Sequence, residues 1–197
     1  MNIRNVLENQ LAAKDNIRLN DVDIDPLLIR AIMINEVVPA DPAQDFYGSS
    51  GEQYLSTSLP LFQKAGLPAE NINDILQMGI YITNAVKTPK SGYTVEKESI
   101  EESLPYLEKE LSLFPNVKVI MLMGDVAKKM FNQIARKTAK RNPIPSGATY
   151  KLRATPFYFG DIRVIPSYIM TGGNILIEKS KFSMAAEDIR TMAEIIK

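Results

Sequence analysis

Asn84 closes an apolar, β-branched run. Ile80, Tyr81, Ile82 and Thr83 precede it, Lys87 follows three residues later, and Pro89 breaks the chain soon after. Such a run reads as a short buried strand with polar residues at its end. A planar amide there carries a donor and an acceptor side by side, the pattern that reads the edge of a base. Two other apolar runs end in a similar way. Residues 27–34 (LLIRAIMI) lead into Asn35 and Glu36, and residues 117–123 (VKVIMLM) lead into Gly124 and Asp125. In open α/β sheets ligands bind outside the carboxyl ends of the strands, so three polar turns on one rim mark the expected site.

The residue types that are missing narrow the chemistry. The chain of 197 residues has no Cys, no His and no Trp. There is therefore no disulfide, no thiolate nucleophile, no imidazole base and no cysteine-held iron–sulfur cluster. Ser-His-Asp and Cys-His catalysis and most zinc chemistry are excluded. Acid–base work falls to Asp, Glu, Lys or Tyr. Net charge is zero, so bulk attraction to nucleic acid is absent. Residues 128–153 nevertheless hold eight basic side chains and no acidic one. That stretch either tracks phosphates or forms a solvated helix face followed by a loop.

The elements that must position these groups follow from periodicity. Residues 1–20 predict a helix, with Ile3, Val6, Leu7 and Leu11 at helical spacing. Residues 35–51 form a Pro-, Asp-, Gly- and Ser-rich loop. Residues 51–65 predict a helix despite Pro60, and residues 71–77 another turn or two. Residues 96–113 form an amphipathic helix with Ile100, Leu104, Leu107 and Leu111 on one stripe. Asp125 is the expected N-cap of a helix to about Ala139. Residues 157–158 and 163–165 form a hairpin or bracket one further strand, and residues 180–196 close the chain as a helix. Strands alternating with helices predict an α/β fold: one three-layer α/β/α domain over residues 1–197, with a central, mainly parallel four-stranded sheet. Residues 1–25 are its N-terminal helical extension. No apolar stretch approaches the ~20 residues of a membrane span. The N-terminus lacks the apolar core of a signal peptide, so the cytoplasm is the expected compartment.

Read in order, these blocks resemble the uracil-DNA glycosylase superfamily, closest to the branch that usually carries an iron–sulfur cluster. Asn35-Glu36-Val37-Val38-Pro39 occupies the first motif, Gly-Glu-Ala-Pro-Gly in the family. Phe46-Tyr47-Gly48 resembles the Pro-Phe loop. Residues 82–87 (ITNAVK) closely match Ile-Thr-Asn-Val-Val-Lys, and Pro105-Tyr106-Leu107 matches a Pro-Tyr-Leu helix. Residues 119–124 with Ala127 resemble the apolar strand and its Leu-Gly turn. Residues 166–171 (PSYIMT) approximate Pro-Thr-Tyr-His-Pro-Ser. Two departures stand out. Thr88 and Ser103 stand where that branch has cluster cysteines, so no metal or other cofactor is expected. Ile169 stands where the last motif has the His that stabilises the departing base.

The resemblance implies removal of uracil or another deaminated base from DNA. The enzyme must flip the nucleotide, read it, position water and stabilise the leaving anion. In this reading Asn84 reads the base, and Glu36 orients water and offsets charge on the sugar. Phe46 or Tyr47 gives the base a stacking face. Lys87, Ser167, Thr171, Gly172 and Asn174 complete the substrate-binding set, and Gly172-Gly173 lets backbone approach a phosphate. Ile169 and Met170 form either an apolar wedge for the gap left by the flipped base or a plain turn. Lys179 and Lys181 read as a helix start. The expected partner is DNA, the expected assembly a monomer. The alternative is a glycosylase-like fold that binds nucleic acid or nucleotide without hydrolysis. An unrelated nucleotide-binding α/β protein would need a Gly-rich loop after its first strand, and none is present.

Overall fold

A computed structural model of the chain describes residues 1–12, 14–48 and 53–197. In chain order the elements are α1 (Ile3–Gln10), β1 (Ala31–Val37), α2 (Gln53–Lys64), α3 (Ile72–Gln77), β2 (Ile80–Val86), α4 (Lys97–Leu111), β3 (Val119–Met123), α5 (Asp125–Ala139), α6 (Thr149–Leu152), β4 (Phe157–Phe159), β5 (Ile162–Ser167), α7 (Asn174–Ile177) and α8 (Lys179–Ile196). The strands form one sheet in the order β2-β1-β3-β5-β4. β1, β2, β3 and β5 run parallel, and β4 returns antiparallel against β5. The expected four strands are thus the parallel set. The alternative of a hairpin adds a fifth, turned at Gly160, whose φ of +58° suits glycine.

Parallel strands need cover on both faces, and alternate residues along β1 supply it. Ile32 and Ile34 pack with Ile3, Leu7, Ile100, Leu107 and Phe131 beneath α1, α4 and α5. Ala31 and Met33 pack with Leu61, Phe62, Ile75, Ala185, Ile189 and Met192 beneath α2, α3 and α8. This is the α/β/α layering.

Several boundaries differ from expectation, each for a local reason. The run at 27–34 does not begin as strand. Leu27 and Leu28 are exposed in a turn held by Asp25, whose carboxylate accepts from the Leu27 N–H. Pairing starts where Arg30 and Ala31 donate to the Gly79 carbonyl, and β1 then continues through Asn35 and Glu36. β2 likewise continues past Asn84 to Val86. The two Asn residues therefore sit inside strands, opposite one another in register. Helix α1 stops at Gln10; its N-cap is Asn2, whose side chain accepts from the Asn5 N–H. Beyond it the chain is held by contacts that a helix would break, such as Arg18 N–H to the Lys87 carbonyl and Ile24 N–H to the Met1 carbonyl. Gly124, not Asp125, caps α5. The Asp125 carboxylate instead pairs with Lys128 on the surface. The expected helix start at Gly51 lies outside the described residues; the described part runs from Gln53.

Lys87, expected among the substrate-binding residues, is buried. Its side chain is 2% exposed and pairs with Glu110, which is fully buried. The Glu110 carboxylate also accepts from the Tyr81 hydroxyl (2.6 Å) and the Thr83 hydroxyl (2.8 Å). Lys87 Nζ donates to Thr83 Oγ1 as well (2.8 Å), and the Asn20 amide donates to the Tyr81 oxygen (2.7 Å). Burial holds the Tyr81 phenol well above its usual pKa, and the Glu110 charge adds to that. A buried ion pair is weak evidence for net stability, but removing one partner strands the other. Lys87→Met should therefore lower the unfolding free energy by about 3–5 kcal/mol in urea titration. Lys87→Met/Glu110→Met should recover at least part of that loss, and a double variant worse than the single one would refute the ion-pair account.

Candidate functional site

A cleft of about 550 Å³ opens at the carboxyl ends of β1, β3 and β5. Glu36 and Val37 come from β1, Gly124 and Asp125 from the β3–α5 junction, and Ser167, Thr171, Gly172 and Asn174 from the segment after β5. Lys90 and Lys181 bring positive charge to its edge.

Glu36 is the carboxylate at the floor. Its Oε1 accepts from the Val126 N–H (2.9 Å), in the first turn of α5. A helix N-terminus favours such an anion. Burial nevertheless raises the Glu36 pKa above 4.5; the Val126 hydrogen bond opposes this, and the Asp125 charge adds to it. The close approach depends on Gly124. Its φ is +100°, and a Cβ there would lie 2.3 Å from Glu36 Oε1 and 2.7 Å from Ile169 Cγ1. Only glycine accommodates both the conformation and the contact.

Asn84 lies behind the cleft wall. It is 1% exposed. Its Nδ2 donates to both carboxylate oxygens of Asp45, at 2.9 Å each. Its Oδ1 accepts from Asn35 Nδ2 (2.7 Å), and Asn35 Oδ1 accepts from the Thr171 hydroxyl (3.2 Å). Asp45 can only accept when ionised, which sets the orientation of the whole chain of amides. Burial raises the Asp45 pKa, and the Asn84 hydrogen bond opposes the rise. One polar relay thus runs from Asp45 through Asn84 and Asn35 to Thr171 in the cleft.

The expected stacking rings are both engaged elsewhere. Phe46 is 1% exposed and packs on Tyr54, with centroids 5.4 Å apart. The Tyr47 hydroxyl donates to the Ile82 carbonyl (3.0 Å) and accepts from the Ile82 N–H (3.2 Å). It thereby satisfies the open edge of β2. Ser167 is buried and donates to Asp188 (2.6 Å), which also pairs with Arg153. Ile169 is exposed at the cleft, whereas Met170 is fully buried and its carbonyl accepts from Thr57. The structure thus brings together Glu36, Ser167, Thr171, Gly172 and Asn174, joins Asn84 to them through Asn35, and leaves Phe46, Tyr47 and Lys87 outside the cleft lining.

Sequence reading did not single out Asp45, Tyr54 or Lys90. Asp45 sits beside Phe46 in a loop without periodicity, and only the fold brings it to Asn84. The Tyr54 hydroxyl donates to the Val37 carbonyl (2.7 Å). Thr88 and Ser103, which the resemblance sets against cluster cysteines, do not suit iron and sulfide. Ser103 Oγ accepts from the Lys87 N–H (2.8 Å), and Thr88 Oγ1 is buried without a partner among the described residues. Hydroxyls do not replace thiolates in such clusters.

The family model described as the Uracil DNA glycosylase superfamily matches residues 37–174, well over half of the chain. The chain belongs to the uracil DNA glycosylase superfamily. No curated protein matches it. The superfamily match opens one residue after Glu36 and closes at Asn174, so it spans Asp45, Asn84, Gly124 and the loop after β5.

The raised pKa of Glu36 has a signed consequence. A carboxylate whose folded pKa lies above its unfolded value contributes stability that is fully present below about pH 4.5 and lost as pH rises through the folded value. Glu36→Gln keeps an acceptor for Val126 and removes that loss. Its melting temperature relative to wild type should therefore rise between pH 4 and pH 7. A difference that stays constant over this range would show that Glu36 ionises without strain.

Proposed function

We propose that this superfamily member hydrolyses the N-glycosidic bond of uracil or another deaminated base in DNA. The observation that carries the reading is Glu36, a carboxylate set on the α5 N-terminus at the floor of a cleft large enough for a nucleoside. In the reaction the bond between C1′ and the base nitrogen breaks, and its electron pair leaves with the base. The sugar gains oxocarbenium character, and water adds at C1′ as its proton passes to Glu36 and on to the departing base anion. Glu36 orients that water and offsets the positive charge. Asn84 reads the base edge once the Asn35 side chain has turned away from its Oδ1. Ile169, exposed at the mouth, fills the space the nucleotide leaves. Lys90, in the same cleft, opposes the charge on the departing base. The basic stretch at 128–153 meets the phosphates of single- or double-stranded DNA. The protein acts as a cytoplasmic monomer; no helix among the described residues is long and apolar enough to cross a membrane.

A second reading is a member that binds nucleic acid or nucleotide without hydrolysis. The occupied amide of Asn84 favours it, as does the buried ring of Phe46.

Oligonucleotides carrying uracil, hypoxanthine or xanthine, single-stranded and duplex, separate the two. After incubation with excess protein, alkali should cleave at least one of them at the abasic site. Glu36→Ala should slow the reaction by about a hundredfold or more. No scission on any substrate by folded protein would refute hydrolysis and leave binding.

A further inference from the structure

Asn84 has two groups with which to read a base, and the protein uses both. Nδ2 is held by the two Asp45 oxygens. Oδ1, the acceptor for a base N–H, already accepts from Asn35. Asn35 is 1% exposed and lies between Asn84 and the cleft residue Thr171. Beyond a long contact from its Nδ2 to the Val37 carbonyl (3.5 Å) in its own strand, its contacts have a definite chemical pattern. It offers one N–H to Asn84 and one carbonyl oxygen to the Thr171 hydroxyl. An N–H beside a carbonyl is also the edge of uracil (N3–H and O4) and of hypoxanthine (N1–H and O6).

We propose that Asn35 is an internal stand-in for the base edge, a specificity-determining residue that occupies the reading subsite of this chain. The proposal rests on Asn84 as the base-reading residue of the site above. β1 lies between β2 and β3 in the sheet, so the Asn35 backbone cannot withdraw. The side chain alone must leave for a base to enter. Asp45 keeps Nδ2 of Asn84 turned away, so Oδ1 faces the space that Asn35 fills. When Asn35 is absent, that oxygen is a buried acceptor in need of an N–H, and Thr171 is a hydroxyl in need of a carbonyl. The vacated subsite therefore selects an imide-type edge. Cytosine, which presents an unprotonated N3 to Oδ1, is rejected by the repulsion of two acceptors. Thr171 adds a second control, because it anchors the far end of Asn35.

The test is titration of the folded full chain with uracil and cytosine methylated at N1, the position the sugar occupies in DNA, followed by amide NMR. Asn35→Gly should bind uracil about tenfold or more tightly than wild type and gain nothing for cytosine. Asn35→Gly/Asn84→Ala should lose the gain. Asn35→Ala, which removes the amide but keeps a Cβ in the strand, should give a smaller gain of about threefold, and serves alone if Asn35→Gly does not fold. Unchanged uracil affinity in these variants, or an equal gain for cytosine, would overturn the proposal. Binding of N1-methylated uracil needs no hydrolysis. Absence of strand scission on any oligonucleotide would refute the glycosylase reading while leaving this one standing, and scission without a gain in Asn35→Gly would do the reverse.

Discussion

Two asparagines side by side in strands buried on both faces set the terms for this site. A polar side chain in such a place must find its partners inside the protein, because water cannot reach it. Asn35 and Asn84 are opposite one another in the β1–β2 register and partner each other first. Each then has one group left over. Asn84 takes it to Asp45, which draws the loop at 41–48 against β2. Asn35 takes it to Thr171, which draws the segment after β5 over β1. Two loops far apart in sequence are thus fastened to one pair of strands, and the second of them, after β5, lines the cleft. A hydrophobic pair at the same positions would fill the core equally well and would remove one anchor from each loop.

Glu36 answers to a different constraint. It neighbours Asn35 in sequence but projects to the opposite side of the strand, toward the start of α5. The unpaired N–H groups there attract a carboxylate, and burial resists its charge. The raised pKa is the resultant of those two forces. Gly124 decides that the carboxylate can come so close, since any side chain at that position would push Glu36 and Ile169 apart. The helix terminus therefore holds the carboxylate instead of an external anion. A group that could have bound phosphate has been turned to positioning one acid.

Much of the fold is legible in the residues because it rests on short-range patterns. The apolar runs at 80–83 and 117–123 and the helical stripes at 96–113 and 180–196 carry their period in their own sequence, and the structure has an element at each. Boundaries fail where a partner outside the run decides them. Leu27 and Leu28 look like strand until Asp25 turns the chain, and Asn84 looks like a strand end until Asn35 meets it. The cleft shows the same division. Glu36, Ser167, Thr171, Gly172 and Asn174 lie near strand ends, where topology alone predicts a site. The Asp45 contact has no local signal, because its meaning comes from a residue 39 positions away. Lys87 misleads for the opposite reason: a basic residue after a strand suggests a phosphate contact, but an acid on α4 claims it first.

β2 joins these themes, because its alternating side chains serve two purposes at once. Tyr81 and Thr83, followed beyond the strand by Lys87, face α4 and close around Glu110. Ile82 and Asn84 face the other way, toward the loop with Asp45 and the body of the site. The strand has no freedom to slip, since a shift of one residue would carry the buried charge to the cleft and the amide to the ion pair. The ionic cluster also lies next to Thr88 and Ser103, where the Lys87 N–H is fixed by the Ser103 hydroxyl. In this chain the junction of β2 and α4 is thus held by charge and hydrogen bonds. A strand pinned that firmly on one face presents Asn84 on the other at a fixed height and angle. Whatever reaches Asn84 must adapt to it, and the side chain that does so in this structure is Asn35.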